Sequence, residues 1–300
     1  MSLAVSTPPT TNPAHSQFAD KKLGLFGVLR SEFLKFRTLT TNWVMTIVIA
    51  VVMIGFALIM GLSINSFMDM MKSSAEEMMG PGGNPSNAVD MNQLVDYAYR
   101  LGGMGLDMGN MLVGSVAVVF VGSEYATRSM QTTTTAVPRR SMVFFAKMLV
   151  LTIYTFVLGF VLAAISYWAG HMVLYQEIKD AATFETGVVW NWVAVAIYFV
   201  FMAWMGLGFG FLLRNNAGGI MMVVAIMLIL PIIFTLMALS DWQWVTDLSK
   251  YLPQNLGTEM TAYTVADGSM KQAEAGGWFA LWALIPALLG YLRFRFTDSK

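Results

Sequence analysis

The sequence predicts an all-α integral membrane protein with six transmembrane helices and both termini in the cytoplasm. Three observations predict it. Only 12% of the 300 residues are charged and 56% are hydrophobic, against about 25% charge in a soluble domain. Six apolar runs each approach the roughly 20 residues that cross the hydrocarbon. The basic residues are concentrated in one set of connecting segments, which sets orientation.

In chain order, residues 1–20 are rich in Ser, Thr, Pro and Asn and lack an apolar run. They read as a disordered cytoplasmic tail and not as a cleavable signal peptide. Residues 21–300 read as a single transmembrane domain. It opens with an amphipathic segment over 23–39, where Phe26, Leu29, Phe33 and Phe36 recur at helical spacing. They share one face, beside Lys22, Arg30, Glu32, Lys35 and Arg37. Such a helix lies in the membrane interface. The simpler reading is a basic stop that only sets orientation.

The first span is 43–64, free of charge. The outer segment 65–107 follows, with Met68, Met70, Met71, Met78 and Met79 and a Gly- and Pro-rich centre. Clustered thioethers can bind Cu(I); more often Met fills adaptable apolar surface. The second span is 102–123, apolar from Met108 onward, with Asp107 at its outer edge. The third is 148–170 and the fourth 187–213. The short link Arg214-Asn215-Asn216 makes the fourth and fifth spans a tight hairpin. The fifth, 217–240, contains Pro231, which predicts a kink. The sixth is 275–292. Gly105 and Gly109 are four apart, as are Gly206 and Gly210, a spacing that lets helix backbones approach closely.

Charge then orients the spans. The amino-terminal region, 124–147, Arg214 and 293–300 hold 13 of 18 Lys and Arg with four acids. The segments 65–107, 171–186 and 241–274 hold the other five bases and 14 acids, and each is net acidic. The first set is therefore cytoplasmic. Trp43, Trp168, Trp190, Trp192, Trp242, Trp244 and Trp278 fall near span ends, where interfacial anchors belong.

The cytoplasmic connection between the second and third spans is the most patterned. It runs from Glu124 and Tyr125 through Arg128, Gln131 and four threonines starting at Thr132, to Pro138, Arg139, Arg140 and Lys147. Glu124 near a helix C-terminus opposes the dipole and needs a partner; Arg128, one turn on, is available. The threonines should resist an uninterrupted helix, and Pro138 can start a new one. The local reading is a short helix, a break and re-entry, able to dock a soluble partner or to serve only as a positively charged connector.

Several chemistries are excluded. There is no cysteine, and His15 and His171 are the only histidines, so no metal site is expected. No Gly-x-x-x-x-Gly-Lys-Ser/Thr, His-Glu-x-x-His or Gly-x-Ser-x-Gly pattern occurs. No catalytic residues are expected, and any energy source lies on another chain. No span carries a ladder of acids or arginines, as a proton relay or voltage sensor would.

The stretch Glu124 to Thr133, followed by Val137-Pro138-Arg139-Arg140 and Ala146-Lys147, resembles permease subunits of ATP-binding-cassette (ABC) exporters of the second type, most of all their actinobacterial branch. There the loop reads roughly Glu-Tyr-x-x-Gly-x-x-Arg-x-x-Leu, then x-x-Pro-Arg-Arg and Ala-Lys. Leu29 to Arg37 and Tyr251 to Gly257 are also similar to that family, and the resemblance covers about 25–297. Arg128 stands where the family often has Gly, and Gln131 where it often has Arg. The resemblance implies that 124–140 forms a coupling helix docking into a cytoplasmic ATPase, with an interfacial elbow beside it. It implies two permeases, identical or paralogous, pairing in the plasma membrane. ATP and magnesium would be bound by the partner ATPase; no cofactor is expected in this chain, and no nucleic acid among its partners. Two other readings remain: a non-transporting assembly or sensory partner of an ATPase, and a stand-alone secondary transporter or intramembrane enzyme. The latter predicts paired polar residues at mid-membrane depth, which the spans lack.

Overall fold

A computed structural model describes residues 24–79, 90–137, 139–240, 242–264 and 269–297. Among these residues all regular secondary structure is helical, and six helices are long and apolar enough to cross a membrane. The expected tail 1–20 and Pro138 lie outside the described residues.

Helix α1 (Leu25–Thr38) breaks at Leu39, and α2 (Thr40–Met79) begins at once. The start of α2 caps the end of α1: Asn42 Nδ2 donates to Phe36 O at 3.0 Å and Trp43 Nε1 to Arg37 O at 2.8 Å. Two carbonyls that a helix end leaves without partners are thereby satisfied. The α1 face differs from expectation. Val28, Glu32 and Phe36 are buried, while Phe26 and Phe33 are 78% and 52% exposed. Phe36 leaves the apolar stripe because it packs edge-on against Phe120 at 5.1 Å and beside Tyr154 at 4.5 Å.

The first span is far longer than 43–64. Its 40 residues make a rod of roughly 60 Å, about twice the hydrocarbon thickness. Residues 65–79 therefore continue the helix, where the sequence suggested a loop. Tertiary bonds hold the extension: Asn65 bridges Val173 O and Tyr175 N, and Lys72 pairs with Glu177 at 2.8 Å. Met68 is buried and Met70 exposed, so these two thioethers do not converge. The segment continues as α3 (Met91–Tyr99), capped by Asp90.

The remaining spans are α4 (Leu106–Ala126), α6 (Arg140–Val173), α8 (Thr186–Leu213), a fifth over Asn216–Ala238, and α13 (Gln272–Phe296). Short α5 (Ser129–Ala136) joins α4 to α6. Helices α7 (Gln176–Ala181), α11 (Gln243–Ser249) and α12 (Pro253–Met260) complete the end of the bundle that carries the acidic segments. The fifth span is α9 (Asn216–Val224), a π-helical stretch Ala225–Ile229, and α10 (Leu230–Ala238). Pro231 explains that stretch: it has no N–H to give the preceding turn, and the ladder widens just before it.

Helix α8 is the hub, packed against α4, α6, α9 and α13. Its glycines face two ways. Gly206 abuts Gly114 and Ala117 of α4, and Gly210 abuts Val118 and Val121. Gly208 lies against the backbone of Pro286 and Ala287 in α13. A side chain at either face would force the helices apart, as expected of small residues in membrane packing. Gly105 and Gly109 admit Met53 of α2. The fifth span is the least enclosed: of its residues only Gly219, Val223 and Met227 are buried. Trp192 is 7% exposed and packs inside the bundle, unlike the expected interfacial anchor; Trp43, Trp168, Trp190, Trp242, Trp244 and Trp278 are exposed.

Candidate functional site

The bundle has one basic end, where α1, the α4–α5–α6 connection, the α8–α9 turn and the end of α13 meet. Four charged side chains are gathered there. Lys147 of α6 is fully buried, with Nζ 2.5 Å from Glu32 Oε2 of α1 and 2.6 Å from Glu124 Oε1 of α4. The same ammonium lies 4.1 Å from the Phe120 ring centroid, a favourable cation–π placement. Lys35 closes the cluster, 2.7 Å from Glu32 and 3.3 Å from Glu124. Its third donor bond, 3.0 Å, goes to Thr133 Oγ1 on α5.

Two acids and two bases sum to zero. Burying them costs several kcal/mol per ion unless each is paired and hydrogen-bonded. Both lysines use their ammonium donors on the cluster, so the cost is largely met. Glu124 Oε2 is the exception, buried without a hydrogen-bond partner among the described residues. The cluster ties α1, α4, α5 and α6 into one unit. A cleft lined by Lys35, Thr38, Phe120, Glu124, Thr127 and Ser129 opens beside it.

Glu124 was expected to pair with Arg128, and it does not. Arg128 has φ 58°, in the left-handed region, and is exposed. It ends α4 and points the chain into α5, so it cannot fold back one turn as a helical neighbour would. Helix α5 also runs through the threonines that were expected to resist it. Their hydroxyls donate to backbone oxygens three or four residues earlier: Thr132 and Thr133 to Ser129 O at 2.8 and 2.9 Å, and Thr135 to Gln131 O at 2.8 Å. This back-bonding satisfies the polar side chains without solvent. Only Met130 of α5 is buried. Gln131, Thr132, Thr135 and Ala136 are exposed, and their helical spacing places them on one outward face; Arg128 and Arg139, beyond either end of α5, are exposed as well.

The other expected residues divide between two places. Tyr125 turns away from Glu124 toward α8, edge-on to Phe211, with the Arg214 guanidinium 5.5 Å from its ring. Arg140 Nη1 donates to Phe294 O and Thr297 O at 3.2 and 3.1 Å. Arg214 donates to Thr297 O at 3.1 Å, and Arg293 to Leu212 O. These arginines serve the C-terminal carbonyls of α13 and α8, where cations are favoured. Arg30 and Arg37 are exposed on α1 and stand outside the cluster. Lys147 was noted in the sequence as part of a motif but not singled out as a site residue. Its signal is a lone lysine set between the apolar run Met142–Ala146 and the third span, which demands a partner.

Mechanically, the arrangement bonds a short helix with an exposed outward face to α1, α4 and α6 through Thr133, Lys35 and the charge cluster. No protein-family model matches the chain, and no curated protein matches it.

Proposed function

We propose that this chain is the membrane-spanning permease subunit of an ABC exporter, driven by a separate cytoplasmic ATPase. Helix α5 is the coupling helix and α1 the interfacial elbow. Both termini and the basic end face the cytoplasm. Two copies, or this chain and a paralogue, enclose the pathway in the plasma membrane.

One observation carries the reading. The helix whose sequence resembles the coupling loops has an exposed face for a partner, and behind it Thr133, Lys35, Glu124, Lys147 and Glu32 form an unbroken bonded path. Coupling through a conformational change needs rigid elements that shift as units between alternative packings. The glycine faces of α8 supply surfaces along which neighbouring spans can move. A second point agrees. Arg128 has φ 58°, at the position where the resembled loops often have Gly, and glycine is the residue that suits such a helix end.

The test is reconstitution in vesicles with a soluble ABC ATPase, sought first in the neighbouring gene. A stable complex, and ATP hydrolysis that depends on α5 and accompanies cargo movement, is expected. Failure of the two to associate sinks the reading. Hydrolysis with no cargo moved leaves an assembly or sensory role for the same docking face.

A further inference from the structure

We infer that the groove between α1 and α6 is a binding site for one anionic phospholipid. An acyl chain lies along its apolar walls and the phosphate is held by Arg30. This site is separate from the coupling path and does not depend on the ATPase reading.

The groove has a volume of about 650 Å³ and is walled by Phe26 and Phe33 of α1, Trp43 at the start of α2, and Ile153, Val157 and Val161 of α6. The α6 wall runs from Val150 to Val161, roughly 17 Å of helix. That is about half of the ~30 Å hydrocarbon thickness, the depth of one leaflet. The wall residues Phe26, Phe33, Ile153 and Val157 are at least half exposed, so the groove opens outward from the bundle.

Charge selects the headgroup. Among the described residues Arg30 is the only charged one lining the groove, and no hydrogen bond or ion pair engages it. The other polar groups there are occupied. Trp43 Nε1 donates to Arg37 O, Thr46 Oγ1 donates to Asn42 O, and Tyr154 OH is bonded to Thr46. The nearest acid of α1, Glu32, points the other way and is taken by Lys147 and Lys35. The mouth of an apolar slot therefore presents one free guanidinium, a planar donor fork that matches a phosphate. Basic pockets between membrane helices bind acidic headgroups for this reason.

The purified full-length chain in detergent tests it, with bound lipid counted by native mass spectrometry. The probes are dioleoyl phosphatidylglycerol and dioleoyl phosphatidylcholine. One phosphatidylglycerol is expected to bind in preference to phosphatidylcholine. Arg30→Gln is expected to weaken that binding by about tenfold, the effect of losing a charge-assisted hydrogen bond. Arg139→Gln, at the same end but outside the groove, is expected to leave it unchanged. Val157→Trp fills the slot and is expected to abolish binding with Arg30 intact. Equal binding of the two lipids, equal losses in Arg30→Gln and Arg139→Gln, or full binding by Val157→Trp each overturns the proposal.

Discussion

Lys147 Nζ lies 2.5 Å from Glu32 Oε2, both side chains fully buried, across 115 residues of sequence. The pair joins the third span to the helix that precedes the first. Removing Lys147 leaves two acids facing a single lysine. Lys147→Met is expected to destabilise the chain by about 3–5 kcal/mol, the cost of an uncompensated buried charge. Lys147→Met with Glu32→Gln restores neutrality through Lys35 and Glu124 and is expected to recover most of that loss. Thermal unfolding in detergent checks both; a double variant no more stable than the single one is incompatible with the charge balance.

Thr133 tests the mechanical role. Thr133→Val keeps the shape of α5 and removes the oxygen that Lys35 reaches at 3.0 Å. Lys35 keeps its two carboxylates, so stability is expected to fall by only about 1 kcal/mol. Coupling of ATP hydrolysis to the membrane subunit is expected to fall much further. Glu124→Ala is expected to uncouple as well while the protein stays in the membrane. Coupled hydrolysis at the wild-type rate in both variants places the link elsewhere.

Arg128 tests the turn. Its φ of 58° costs a non-glycine residue about 1–2 kcal/mol. Arg128→Gly is expected to raise stability by about 1 kcal/mol after the entropy of a freer unfolded chain is deducted. Arg128→Val is expected to lower it. The difference in unfolding midpoint between the two variants is the measurement.

Orientation is open to a clean experiment because the chain has no cysteine. Ala136 on α5 and Lys250 after α11 are both exposed. In intact cells, Lys250→Cys is expected to react with a membrane-impermeant maleimide, and Ala136→Cys only after permeabilisation. The reverse pattern inverts the whole topology.

Tyr263 gives an alkaline signature at the acidic end. Burial raises its phenol, aided by the hydrogen bond to Glu185 at 2.8 Å, from the ordinary 10.0 up to about 12. The folded state therefore holds this proton more tightly than the unfolded chain. The stabilisation is complete below pH 10 and is lost as pH rises toward 12. Tyr263→Phe is expected to flatten part of the fall in unfolding midpoint across that window.

Spans were legible in the sequence because hydropathy is local. Even the two short runs, at Met108 and Ala275, lie within α4 and α13. Lengths were not. Helix α2 passes Ile64 into polar sequence because Asn65 and Lys72 find partners on α6 and α7, and no local pattern announces that. The charge cluster was half visible. Glu32, Lys35 and Glu124 stood out individually, but Glu32 and Lys147 share no period. Phe36 misled for a related reason: helical spacing groups residues on a face without saying whether lipid or protein covers it. The threonines of α5 misled because propensity scales omit the back-bonds their hydroxyls make.

The balanced cluster also bears on how relatives of this chain can be found. A lone change at Glu32, Lys35, Glu124 or Lys147 strands a charge, so drift at these positions is tolerated chiefly in compensating pairs. Sequences that have diverged elsewhere should keep an even ledger here: a Glu-x-x-Lys in the leading helix, a Glu-Tyr closing the second span and a lysine about two turns into α6. That constellation is sparse, long-range and independent of the greasy background that makes unrelated membrane proteins look alike.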